Sequence, residues 1–225
     1  MSLTKLRAVL TNEIMNRTIE AISVMPSQDQ LNYLLVMLHG WGANYQDFVP
    51  FAKLLNLPGF GYLFPNAPFE HFQVPGGRAW YALENQEFDG LDTSRELLLT
   101  WLTSLASSTG VPQERTILAG FSQGGAMTLD VGLTLPFAAI CSFSGYLHYQ
   151  PESRLTTSSN LPPTLIIHGQ QDPVVPLEAA QTARTKLSQI GVNVQYYEFP
   201  MGHEVKDPAI ATFKQFIMTN LPSII

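Results

Sequence analysis

The sequence predicts an α/β fold, a mostly parallel central sheet with helices on both faces. Two observations carry that prediction. Short apolar runs read as strands at Ile19–Val24, Tyr33–Leu38, Gly61–Phe64, Thr116–Ala119, Ala138–Ser144, Thr164–His168 and Val192–Phe199, and they alternate with segments of helical spacing at Asp47–Leu55, Thr93–Ser107, Gly124–Leu135, Leu177–Ile190 and Pro208–Asn220. Most of the strand runs are continuously apolar, as in Tyr33-Leu34-Leu35-Val36-Met37-Leu38. Such strands are buried on both faces, the situation of a parallel sheet covered by helices.

The individual elements have local signals. Thr93-Ser94-Arg95-Glu96 has the order of a capping box, which places a helix start at Thr93; Gly110 and then Pro112 mark its end. Two connections are long, Pro65 to Leu91, rich in Pro, Gly and aromatic residues, and Gly145 to Pro163, rich in Ser, Thr and Pro. Loops of that length in a compact domain commonly cover a site, so a lid or pocket-wall role is expected of both. At 225 residues, with no repeat or linker, the chain is expected to be one domain spanning 1–225.

Composition narrows the function classes. A hydrophobic fraction of 45% against 13% charged residues describes a core-rich globule. The net charge of -6 and the lack of any Lys/Arg cluster argue against a nucleic-acid partner. Cys141 is the only cysteine and lies in an apolar run, which reads as a core thiol and excludes an internal disulfide. No signal peptide or membrane span is legible, so a cytoplasmic location is expected.

The strongest local motif is Gly120-Phe121-Ser122-Gln123-Gly124-Gly125, which contains the Gly-x-Ser-x-Gly pattern of a nucleophile elbow. By chance that pattern arises in about one chain in ten of this length. Its context raises its value: it follows the strand Thr116–Ala119 and opens a helix, the strand-turn-helix placement an elbow requires. The flanking glycines suit a sharp turn with no room for side chains, and a helix starting at the serine aims its amides at a developing negative charge.

A serine hydroxyl needs a histidine to accept its proton and an acid to hold that histidine in the right tautomer. Asp172 follows the strand Thr164–His168 and His203 follows the strand Val192–Phe199, giving the order Ser122, Asp172, His203. Other histidines and carboxylates have blander readings. His39 and His168 each end a strand before a glycine and are expected to brace loops by hydrogen bonding. His71 and His148 fall in the long loops, where a solvated or pocket-wall role is expected. Asp130 lies about two helical turns beyond the serine, and Glu204 is expected to be a loop or helix-start residue. The loop Leu38-His39-Gly40-Trp41-Gly42 is placed for a second oxyanion donor, so the backbone amides of Trp41 and Gln123 are the expected pair.

On these residues the chain resembles the phospholipase/carboxylesterase family of α/β hydrolases, which includes acyl-protein thioesterases and small bacterial carboxylesterases. The resemblance spans nearly the whole chain and rests on His39-Gly40-Trp41-Gly42-Ala43-Asn44, Phe64-Pro65-Asn66-Ala67-Pro68, Gly77-Arg78-Ala79-Trp80-Tyr81, the elbow itself, His168-Gly169 with Asp172, and Gly202-His203-Glu204. It implies a hydrolase without cofactor or metal, with Ser122, Asp172 and His203 as triad and the Trp41 and Gln123 amides as oxyanion hole. Ala43-Asn44 and Ala82 stand where eukaryotic thioesterases carry acidic residues, which brings the pattern nearer the bacterial esterases.

The function expected is hydrolysis of carboxylic esters with short to medium acyl chains, with lysophospholipids and acyl thioesters as the nearest variants. Trp41, Trp80, Tyr81, Phe121 and Tyr146 are the expected substrate contacts, together with Phe72. A small-molecule ester or thioester is the expected partner, acted on by a monomer or weak homodimer. An amidase or peptidase with the same triad, or a binding protein on a hydrolase scaffold, are the alternatives that the sequence leaves open.

Overall fold

The computed structural model describes residues 2–7, 18–83, 88–149 and 161–221. In chain order its elements are β1 (Ser2–Arg7), β2 (Glu20–Met25), β3 (Tyr33–Leu38), α1 (Tyr45–Leu55), β4 (Phe60–Pro65), β5 (Phe69–Glu70), β6 (Arg78–Ala79), α2 (Leu91–Thr109), β7 (Thr116–Phe121), α3 (Gln123–Val131), β8 (Ala139–Phe143), β9 (Thr164–Gly169), α4 (Leu177–Gln189), β10 (Val194–Phe199) and α5 (Asp207–Asn220). Among the described residues, eight strands form one sheet in the order β1-β2-β4-β3-β7-β8-β9-β10. The run from β4 to β10 is parallel, and β2 and β1 add antiparallel at one edge. This is an α/β-hydrolase-like fold, as the sequence reading expected.

Strand periodicity divides the core in two. Successive side chains point to opposite faces, so Leu34, Val36 and Leu38 of β3 pack with α2, α3 and α4. Leu35 and Met37 of the same strand pack with α1 and α5. Each of these side chains is almost fully buried, a placement worth about 1.5–3 kcal/mol per large apolar residue. Cys141 lies on the second face, buried, and burial pushes its thiol well up.

Several element boundaries differ from the sequence reading for identifiable reasons. α2 starts at Leu91 and not at Thr93: Leu91 is buried and Ser94 N–H donates to the Gly90 carbonyl, which extends the helix by a partial turn. The Thr93-to-Glu96 capping box is therefore interior to the helix. α1 does use a capping box, with Asn44 as cap: its Oδ1 accepts from Gln46 N at 2.9 Å, and Asp47 Oδ2 accepts from Asn44 N at 2.8 Å. α3 stops at Val131, because Thr134 turns back and donates both its amide and its hydroxyl to the Val131 carbonyl.

β1 has no counterpart in the sequence reading, since its polar, short-patterned residues carry no apolar run. Of the long connections, 65–91 contains the β5–β6 hairpin, while 150–160 of the second lies outside the described residues. Among the described residues no helix is long and apolar enough to cross a membrane.

Candidate active site

Parallel strands bring their carboxyl ends to one edge of the sheet, where loops converge. There β3 delivers Gly40 and Trp41, β7 delivers Ser122, β9 delivers Asp172 and β10 delivers His203. Ser122 sits between β7 and α3 at φ 55°, ψ −118°, a conformation that L residues rarely adopt. The strain is held by the surroundings. Ser122 N–H donates to the Phe143 carbonyl at 2.8 Å, and its own carbonyl accepts from Ala126 N at 2.9 Å.

The glycines on either side are dictated by distance. A Cβ on Gly120 would lie 2.2 Å from the Gly124 carbonyl oxygen, and one on Gly124 would lie 2.3 Å from the Leu38 carbonyl oxygen. Strand β7, the elbow and the end of β3 thus touch backbone to backbone.

His203 Nε2 lies 2.9 Å from Ser122 Oγ, and His203 Nδ1 lies 2.8 Å from Asp172 Oδ2. A carboxylate only accepts, so Nδ1 carries the proton and the lone pair of Nε2 faces the serine hydroxyl. The Asp172 side chain has no exposed surface and that of His203 is 17% exposed. Burial alone would push the Asp172 carboxyl up. Hydrogen bonds from His203 and from the Val175 and Val174 amides outweigh it and hold the group below its ordinary value, so it stays ionised.

Ser122 and His203 open into a cleft of about 360 Å³ lined by Gly40, Trp41, Phe48, Phe51, Phe121 and Val205, with Asp47 and Glu204 also on its wall. A second cleft of about 350 Å³ shares Trp41 with the first and is lined also by Phe69, His71, Phe72, Ala79 and Tyr81. Among the described residues no three His, Cys, Asp or Glu side chains gather where they could hold a metal ion.

Of the expected substrate contacts, Trp41 and Phe121 line the serine cleft. Trp80 does not: it is fully buried, and its Nε1–H donates to the His39 carbonyl at 2.9 Å. Tyr81 and Phe72 face the second cleft. Tyr146 bounds a third, of about 590 Å³, and its hydroxyl is 2.6 Å from that of Tyr81. Aromatic identity alone does not separate these cases, because a tryptophan after a two-residue strand is as suited to the core as to a pocket.

The supporting residues fall largely as the sequence suggests. His39 is buried with Nε2 accepting from Ala67 N at 3.0 Å, which fixes Nδ1–H on the Gly40 carbonyl at 2.8 Å. Burial lowers its pKa to about 4. Asp130 binds Arg95 Nε at 2.8 Å and stands apart from the serine, and Glu204 pairs with Lys206 at 2.8 Å. His148 Nε2 lies 2.7 Å from the Tyr81 hydroxyl.

His71 takes the pocket-wall place expected of it: it lines the second cleft, buried, with Nδ1 accepting from the Gln73 and Val74 amides and its ring edge-on to Trp41 at 4.1 Å. One contribution has no counterpart in the sequence reading. The Gln123 side chain accepts from Trp80 N and donates to the Tyr81 carbonyl, both at 2.8 Å. That clamp ties the 80–81 segment to the elbow. A long amide inside a glycine-rich turn is the available sequence signal, since such a side chain is buried only when hydrogen-bonded.

Known proteins share the sequence pattern and the fold. Residues 19–221 match the phospholipase/carboxylesterase family. The chain is 25% identical to acyl-protein thioesterase 1 of Gibberella zeae over 82% of this chain and 86% of that protein. It is likewise 25% identical to acyl-protein thioesterase 1 of Debaryomyces hansenii over 90% and 97% of the two chains. The crystal structure of esterase PE8 superposes with a TM-score of 0.84 at 29% identity, covering 91% of this chain and all of that one.

Proposed function

Since the chain belongs to the phospholipase/carboxylesterase family and is a hydrolase of that type, we propose that it is a serine hydrolase cleaving carboxylic esters of short to medium acyl chains. Ser122 is the nucleophile, His203 the general base and Asp172 the orienting acid, within one domain. The observation that carries this reading is the unbroken hydrogen-bonded series from Ser122 Oγ through His203 to Asp172, opening on an apolar cleft at a strained elbow.

The chemistry follows from the tautomer. His203 Nε2 takes the hydroxyl proton as Ser122 Oγ attacks the ester carbonyl carbon, and the carbonyl oxygen becomes an oxyanion. The backbone amides of Trp41 and Gln123 bind that charge; loss of one such donor costs about 10²–10³ in rate. The C–O bond to the leaving group breaks as His203 returns the proton to it, leaving an acyl-serine. Water then enters, loses a proton to His203, and releases the carboxylic acid by the same steps.

Trp41 and Phe121 favour an apolar group beside the serine, and the cleft volume of about 360 Å³ suits a small acyl ester. Lysophospholipids and acyl thioesters are accommodated by the same chemistry, because the leaving atom can be oxygen or sulfur. The test is a panel of p-nitrophenyl esters from acetyl to palmitoyl, run on the wild type and Ser122→Ala. Turnover that vanishes in the variant and peaks at the shorter chains is expected. A folded wild type with no turnover, or an active Ser122→Ala, overturns the reading.

A further inference from the structure

We propose that His168 is a positioning residue for the hydrolytic reaction: a second histidine that holds the turn carrying Asp172, acting through that carboxylate and never on substrate. The inference rests on the Ser122–His203–Asp172 reading. His168 lies at the end of β9 and is fully buried. Its Nε2 is 2.9 Å from the Val175 carbonyl oxygen. A carbonyl only accepts, so Nε2 carries a proton.

Nε2 itself lies 3.5 Å from Asp172 Oδ2, the oxygen that binds His203. Its proton is directed at the Val175 carbonyl, so the imidazole packs against the carboxylate while it holds the turn. The other oxygen, Oδ1, accepts from Val174 N and Val175 N, both at 2.9 Å. Val175 is therefore gripped at both of its polar groups, its amide by Asp172 and its carbonyl by His168. The turn from Asp172 to Val175 closes on the histidine, and the orientation of the carboxylate is fixed from both sides.

The cost of the residue argues that the imidazole is used. His168 Nδ1 is buried and has no hydrogen-bond partner among the described residues, and burying an unsatisfied ring nitrogen lowers stability. An apolar side chain would carry no such unsatisfied nitrogen, but it would leave the Val175 carbonyl without its donor. The one contact only the histidine supplies is the Nε2–H on the acid turn.

Glutamine and asparagine separate this role from packing. The Gln amide nitrogen reaches the position of Nε2, whereas the shorter Asn places its nitrogen near Nδ1 and leaves the Val175 carbonyl unbound. We expect H168Q to keep kcat within about threefold of wild type, and H168N and H168L to lose about 10- to 100-fold, the range for an outer partner that orients a reacting group. KM should stay within about twofold in all three, because His168 touches no substrate.

The proposal is overturned if H168L keeps the wild-type kcat, if H168Q falls as far as H168N, or if the loss lies in KM. Should H168L fail to fold by circular dichroism, the Gln and Asn pair decides by itself. S122A and D172N run in parallel keep the two levels apart. Wild-type turnover in those variants defeats the triad reading, while dead S122A and D172N beside a fully active H168L defeat only the role of His168.

Discussion

Replacing Asp172 by asparagine exchanges one carboxylate oxygen for an NH2 group, and the geometry specifies the consequence. Oδ1 accepts from two backbone amides, Val174 N and Val175 N, at 2.9 Å each. An NH2 group there would confront two N–H donors, so the amide oxygen of the substituted side chain must take that side and its NH2 must face His203 Nδ1. Nδ1 then has to accept, the ring proton moves to Nε2, and Nε2 points an N–H at Ser122 Oγ across 2.9 Å in place of a lone pair. A triad forced into the wrong tautomer loses about 10⁴ in kcat, which is about 5.4 kcal/mol of transition-state stabilisation. The fold should persist, because shape and backbone contacts are kept. Hydrolysis of p-nitrophenyl butyrate, read with a thermal melt, provides the assay. A folded Asp172→Asn enzyme within tenfold of wild type would refute the tautomer argument and with it the role given to Asp172.

Two further predictions concern packing and pH. Gly124→Ala puts a methyl 2.3 Å from the Leu38 carbonyl oxygen and 2.5 Å from that of His39; overpacking of this kind costs about 1–3 kcal/mol. Since the strain falls between Gln123 and the loop carrying Trp41, kcat should drop at least about tenfold, somewhat less than the loss of a whole oxyanion donor costs. Unchanged urea midpoint and kcat would contradict the close approach. His39, held neutral by burial with a pKa of about 4, makes stability depend on pH. Between about 6.5 and 4 the unfolded chain binds a proton that the native state refuses, so stability is full above 6.5 and is lost as pH falls toward 4. Asp172 adds its loss only below about pH 4, where its unfolded carboxyl protonates. Urea denaturation should therefore give about 2 kcal/mol less at pH 5 than at pH 7, and equal values would show that His39 is not buried neutral.

Much of the architecture was legible from one dimension. Continuous apolar runs such as Tyr33–Leu38 announce a strand covered on both faces, because a strand with one solvated face would alternate at period two. Glycines at 120 and 124 around Ser122 announce a turn too tight for side chains, and the order Ser122, Asp172, His203 after successive strands names the candidate triad. These are local signals, or simple orderings of them, and they survive in the folded chain. The edge strand β1 and the start of α2 were not legible, because pairing to β2 and burial of Leu91 depend on partners distant in sequence.

Only the tertiary structure decided which side chains meet. It assigned Trp80 to the core, Trp41 to the wall between two clefts, and Tyr81 and Tyr146 to each other. It set His71 beside the indole, spread the Gln123 amide across the 80–81 segment, and joined His168 to the Val175 carbonyl in the turn that holds the acid. The physical reason is that an aromatic or imidazole side chain is compatible with core, wall and site alike. Its place is chosen by the hydrogen bonds and packing that chain closure brings within a few ångströms, for Trp41 with His71, Gln123 with Trp80 and Tyr81 with Tyr146 across separations of tens of residues that no local pattern records.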